Sequence, residues 1–157
     1  MADKYSIGYK ARYITKPPSM QDPGDSSGKV RWLYAKYDLG VDGSVLATAD
    51  TVYLTKLPKG ARVLDGWLKH GDLGTGGTVD IGWQASSDGV ETADSNGLFA
   101  AVDMKTAADA LVGLNEVASP PAMFKKFEAE VNVVAVASEA STLTDGDIEI
   151  GILYVVE

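Results

Sequence analysis

The chain has 157 residues, a net charge of −8, no cysteine and a single histidine, His70. A chain of this length forms one domain that buries about 68–70% of its unfolded surface. The missing cysteines exclude disulfides, thiolate metal sites and cysteine nucleophiles, leaving the redox compartment open, and the lone histidine excludes a multi-histidine metal cage. No run approaches the roughly 20 apolar residues of a membrane helix. The N-terminus shows no apolar stretch of the signal-peptide kind.

The charge is unevenly placed. Residues 1–36 carry seven Lys or Arg against three Asp, a net of +4, whereas residues 37–157 carry seven basic against 19 acidic groups, a net of −12. A basic arm on an acidic body fits an arm that meets an acidic surface: a partner protein, a neighbouring copy or nucleic acid. A solubilising tail explains the charge equally well.

In chain order, residues 4–13 (KYSIGYKARY) place Tyr5, Ile7, Tyr9, Ala11 and Tyr13 on one side of an extended strand and Lys4, Ser6, Gly8, Lys10 and Arg12 on the other. The tyrosines are also four apart, as a helix would use, but Gly8 and the aromatic content favour the strand. Such a segment is expected to dock on its own body or on another chain. Basic residues between aromatics also suit single-stranded nucleic acid, which the acidic body disfavours. Residues 14–29, with three prolines and a Ser/Asp cluster, read as a linker. The expected organisation is an arm and linker at 1–28 followed by one β-domain at 29–157.

The body opens with KVRWLYAKYDLG, a strand with bulky Trp32, Leu33, Tyr34 and Tyr37 on both faces, as in a strand covered on both sides or sharing an interface. Asp42-Gly43 is a tight-turn signal between apolar runs. Three strands then follow in succession. TVYLTKL stops at Pro58, which cannot donate to a ladder. Lys59-Gly60 turns the chain into ARVLDGWLKH, which ends at GDLGTGG with its four glycines. TVDIGWQ alternates Val79, Ile81 and Trp83 against Thr78, Asp80, Gly82 and Gln84.

Residues 85–99 read as a polar excursion too long for a tight turn. The alanines of 99–116, with Met104, Ala107, Ala108 and Leu111 at helical spacing and Gly113 as a stop, predict one short amphipathic helix. Pro120-Pro121 breaks the chain before FKKFEAEVNVVAVASEA, a strand in which Val131, Val133, Ala135 and Ala137 alternate with Asn132 and Val134. After the Asp145-Gly146 turn, Ile148, Ile150, Ile152, Tyr154 and Val156 line one face of a closing strand. So apolar a strand belongs in the middle of a sheet, because as an exposed edge it would promote aggregation. Some eight strands without alternating long helices predict an all-β fold: an antiparallel β-sandwich or jelly-roll-like barrel.

Chemistry is sparse. There is no P-loop, no GxGxxG after a strand, no GxSxG and no HExxH. His70, before a Gly-rich turn, is expected as a strand-end surface residue. Asp88, Glu91, Asp94 and Asn96 crowd oxygen ligands into one loop, as Ca²⁺ would want, but their spacing matches no EF-hand loop, and acidic loops are common in acidic proteins. Asp145, Asp147 and Glu149 are expected on the solvated face opposite the isoleucines; as paired carboxylates for glycoside hydrolysis they would have to converge in a cleft. Trp32, Trp67 and Trp83 fit core or interface packing better than a sugar-stacking platform.

LPKGARVLDGWL followed by DLGTGGTVDIGW resembles the small all-β structural proteins of tailed bacteriophages, in particular capsid decoration (cement) proteins. The resemblance covers about residues 45–84 and, more loosely, the closing strand. It implies a non-enzymatic virion component made in the host cytoplasm and seated on the outer capsid surface. Its partners would be the major capsid protein and its own copies, as a homotrimer, with no cofactor, nucleic acid or membrane. It would clamp neighbouring capsomers and reach onto the capsid or an adjacent subunit with its N-terminal arm. Tyr5, Tyr9, Lys10, Arg12 and Tyr13 are then the expected arm contacts, and Trp32 and Tyr34 are candidates for a subunit interface. The loop at 85–99 has no counterpart in that pattern. A carbohydrate-binding or tail-associated β-sandwich is the alternative reading.

Overall fold

The computed structural model describes residues 29–39, 46–73, 77–104, 108–114, 121–137 and 146–157. They form eight strands: β1 (Arg31–Asp38), β2 (Thr51–Leu57), β3 (Ala61–His70), β4 (Thr78–Trp83), β5 (Asp94–Asp103), β6 (Ala108–Gly113), β7 (Val131–Ala137) and β8 (Asp147–Val156). One sheet runs β1-β8-β3-β6 and the other β2-β7-β4-β5, and every pairing is antiparallel. The first strand thus pairs with the last, the second with the seventh, the third with the sixth and the fourth with the fifth: the chain is one long hairpin rolled into a β-sandwich. The N-terminal arm lies outside the described residues.

The inner faces make the core. Ile148, Ile150 and Ile152 of β8, each fully buried, face Val79 and Ile81 of β4 and Val131, Val133 and Ala135 of β7 across the sandwich. Burying a side chain of that size contributes about 1.5–3 kcal/mol. β8 sits between β1 and β3, the central place its apolar run demanded. The bounds of β2, β3 and β4 are those their turn residues set; Gly60 adopts φ of +80°, a conformation other residues resist. Val134, on the face expected to be polar, is also buried.

The expected helix over 99–116 is absent from the described part of that stretch, which belongs to strands β5 and β6. The polar excursion is shorter than expected as well, because β5 already begins at Asp94. Two irregularities hide β5 from a period-two search. Phe99 pairs with Ile81 and Val102 with Val79, so two residues of β5 oppose Asp80 alone. Ala101 takes φ of +48° in this bulge and donates its N–H to the Asp80 carboxylate at 2.7 Å. A second shift between Ile81 and Trp83 leaves the consecutive Leu98 and Phe99 both fully buried. Alternation fails, and alanine propensity loses to sheet packing.

Candidate functional site: an aromatic shelf on the outer sheet face

β3 carries a bulge between Val63 and Asp65. Before it Ala61 and Val63 face the core; after it Gly66, Leu68 and His70 do. Strict alternation from Val63 would have sent Trp67 inward. The extra residue turns Trp67 and Lys69 to the outer face instead. His70 is accordingly buried at 3% exposure, donating from Nδ1 to the Gly71 carbonyl at 2.9 Å, which corrects its expected place on the surface.

Register then builds two cross-strand rows on the outer face of β1, β8 and β3. Tyr34, Gly151 and Trp67 stand side by side, and next to them Lys36, Glu149 and Lys69. Gly151 supplies no side chain, and the vacancy is filled from the neighbouring strand. A Cβ on Gly151 would lie 2.2 and 2.4 Å from Cη2 and Cζ2 of Trp32, so the indole lies across the bare backbone of β8. Trp32 and Trp67 meet with ring centroids 5.2 Å apart and planes at 43°. Together with Tyr34, Glu149 and Lys69 they line a shallow depression of about 150 Å³. Trp32 and Tyr34 are each 54% exposed.

The charged row is tightly organised. The Tyr34 hydroxyl donates to Glu149 Oε2 at 2.7 Å, which raises the tyrosine's pKa because its proton is held by an anion. Lys36 bonds Asp147 at 2.7 Å. That hydrogen bond holds the Asp147 carboxyl below the usual range and raises Lys36. Glu149 Oε1 stands 3.6 Å from Lys69 Nζ and 3.9 Å from Lys36 Nζ. Asp147 and Glu149 thus occupy the outer face, as expected, where both are paired with lysines.

Two further clusters tie the 121–130 segment to the sandwich. Arg62 grips the Glu157 carboxylate through Nε and, at 2.9 Å, through a second guanidinium nitrogen, with Lys126 at 3.5 Å. These contacts, the Arg62 hydrogen bond foremost, keep Glu157 below the ordinary carboxylate range. The buried Glu91 accepts the Glu128 N–H at 2.7 Å and pairs with Lys125 at 2.8 Å. Of the oxygen-bearing residues of the predicted loop, Asp88 and Glu91 therefore serve different partners. Asp88 closes a local turn by accepting from Ser86 Oγ at 2.6 Å and the Val90 N–H at 3.1 Å, and Glu91 turns inward. Among the described residues no group of three His, Cys, Asp or Glu could hold a metal ion.

Of the residues singled out from sequence, Tyr5, Tyr9, Lys10, Arg12 and Tyr13 lie outside the described residues. Trp32 and Tyr34 share the outer shelf. Trp83 leaves the tryptophan set altogether: it is 3% exposed in the core, edge-on to Phe127 at 5.0 Å, with its indole N–H donated to the Thr92 carbonyl at 2.9 Å. Glu149, Gly151, Trp67 and Lys69 acquire their shared role only through register. The one sequence signal for it is a glycine in the middle of an otherwise alternating strand.

No family model and no curated protein matches the chain. Solved structures do match its fold. A chain of the capsid asymmetric unit of cyanophage Pam1 aligns with TM-score 0.64 and 21% identity, over 91% of this chain and 96% of that one. A chain of the capsid of Ralstonia phage GP4 aligns with TM-score 0.62 and 23% identity, over 94% of each chain. A chain of the acid-stable capsid of Helicobacter pylori bacteriophage KHP30 aligns with TM-score 0.50 and 15% identity, over 81% and 87%. At these identities the likeness is one of fold.

Proposed function

We propose that this chain is a non-enzymatic structural component of a phage virion. In this reading it binds the outer surface of the capsid and holds neighbouring capsomers together. The observation that carries it is the near end-to-end fold likeness to chains of phage capsid structures, covering 91% and 94% of this chain. The nested pairing of eight antiparallel strands in two sheets supports reading the sandwich as a jelly roll, an architecture that viral capsids use. The major capsid protein and further copies of this chain, as a homotrimer, are the proposed partners. Tyr5, Tyr9, Lys10, Arg12 and Tyr13 of the arm carry the reach onto the shell, with the basic arm complementary to acidic neighbours. Many weak contacts repeated around a shell raise effective affinity without one strong site.

The test is mass spectrometry of purified particles from the source lysate, measuring copies of this chain relative to the major shell protein. A near-stoichiometric ratio is expected. A few copies per particle would assign it to a tail or vertex, and absence from particles would overturn the virion reading.

A further inference from the structure

We infer that the Trp32–Trp67 shelf is a binding site for a neutral pyranose ring. This proposal stands independently of where the chain works. Trp32 rests across the bare backbone of Gly151 and is 54% exposed, which leaves an indole face open to solvent. The C–H bonds on the apolar face of a sugar ring carry partial positive charge and pack on the electron-rich face of an indole. Trp67, tilted 43° at 5.2 Å, makes the second wall. The resulting depression of about 150 Å³ suits one ring, well below the roughly 300–1,000 Å³ of sites for larger ligands.

A polar edge borders the stacking surface. Glu149 Oε2 is committed to Tyr34, but Oε1 faces its two lysines at 3.6 and 3.9 Å. Those are ion-pair distances, longer than a hydrogen bond. A hydroxyl can donate to Oε1 while an adjacent hydroxyl accepts from Lys69, so the pair reads the donor and acceptor of vicinal hydroxyls together. Lys36 is balanced by Asp147 and Lys69 by Glu149, so the edge carries no net charge and a neutral sugar meets no electrostatic penalty.

The competing occupant of the shelf is a second copy of this chain. The fully buried centre of a protein interface is depleted of charged residues. Here Glu149 and Lys69 are among the residues that line the same depression as the indoles.

The test is tryptophan fluorescence of the purified full-length chain, titrated with the methyl glycosides of glucose, galactose, mannose and N-acetylglucosamine. Saturation-transfer NMR on the same samples reports contact with the sugar ring. At least one glycoside is expected to give a saturable change. Trp32→Ala and Glu149→Gln should each weaken it by roughly tenfold or more while melting cooperatively like the parent. Trp32 is exposed enough for truncation to leave the fold intact, and Glu149→Gln keeps the shape of the site. Silence with all four glycosides overturns the proposal. So does a response unchanged in both variants, or a wild-type oligomer that ignores sugar and dissociates on Trp32→Ala, which would make the shelf a subunit contact.

Discussion

Gly97 of β5 lies against the six-membered ring of Trp83, and replacing it with alanine measures how rigidly that corner of the core is packed. The new Cβ would stand 2.2 and 2.4 Å from Cζ3 and Cη2 of the indole. Carbon atoms pack at about 3.5–4.0 Å, so the ring must retreat by more than 1 Å. It has nowhere to go. Trp83 is buried against Phe127 and held by its N–H bond to Thr92. Overpacking costs about 1–3 kcal/mol, and tilting the indole off the Thr92 carbonyl adds about 1 kcal/mol. A total near 3 kcal/mol lowers the melting temperature of a domain this size by about 10 °C. Urea and thermal melts check this, and a double-mutant cycle isolates the cause. Trp83→Phe removes Cζ3 and Cη2, so Gly97→Ala in that background should cost under about 1 kcal/mol, a coupling of about 2 kcal/mol. Equal costs of Gly97→Ala in both backgrounds would refute the clash.

Three other outcomes follow from the same structure. Glu91→Ala strands the Glu128 amide and leaves Lys125 without its carboxylate, so stability should fall by about 3 kcal/mol; a loss below about 1 kcal/mol in urea melts would show that the 121–130 segment is held by other contacts. Glu157 and Asp147 have folded pKa values below their unfolded ones, through Arg62 and Lys36. Their contribution is complete above the unfolded carboxylate pKa of about 4 and is lost as pH falls through the folded value. The urea midpoint should therefore drop between about pH 5 and pH 3, less so in Arg62→Ala, and identical pH profiles for parent and variant would contradict the role of Arg62. Deleting residues 1–16 should abolish binding to capsids while circular dichroism still reports the β-fold, and undiminished co-sedimentation with particles would remove the arm from the proposed function.

Much of the sandwich was legible in the sequence because its regular strands obey period two. β2, β3 and β4 are bounded by Pro58, Gly60 and the Gly-rich turn, and the isoleucines of β8 announce both their inner face and their central place in a sheet. β5 and β6 were not legible. Their alanines favour a helix locally, and the bulge at Ala101 together with the consecutive burial of Leu98 and Phe99 erases the alternation that would have marked a strand. Trp32 and Tyr34 drew attention as bulky residues, whereas Trp67 was one of three tryptophans without a way to choose among them.

By itself, then, the sequence determined the all-β class, the bounds of β2, β3 and β4 and the buried faces of β4 and β8, since all of these depend on side-chain period and turn chemistry within a few residues. Only the tertiary structure decided the pairing of first strand with last and the bulge in β3. The pairing sets Lys36 and Lys69 on either side of Glu149, and the bulge turns Trp67 outward while carrying His70 into the core. A strand's register against a partner more than a hundred residues away is a property of the packed sheet. It is there that Gly151 leaves the space Trp32 fills and the outer shelf comes into being.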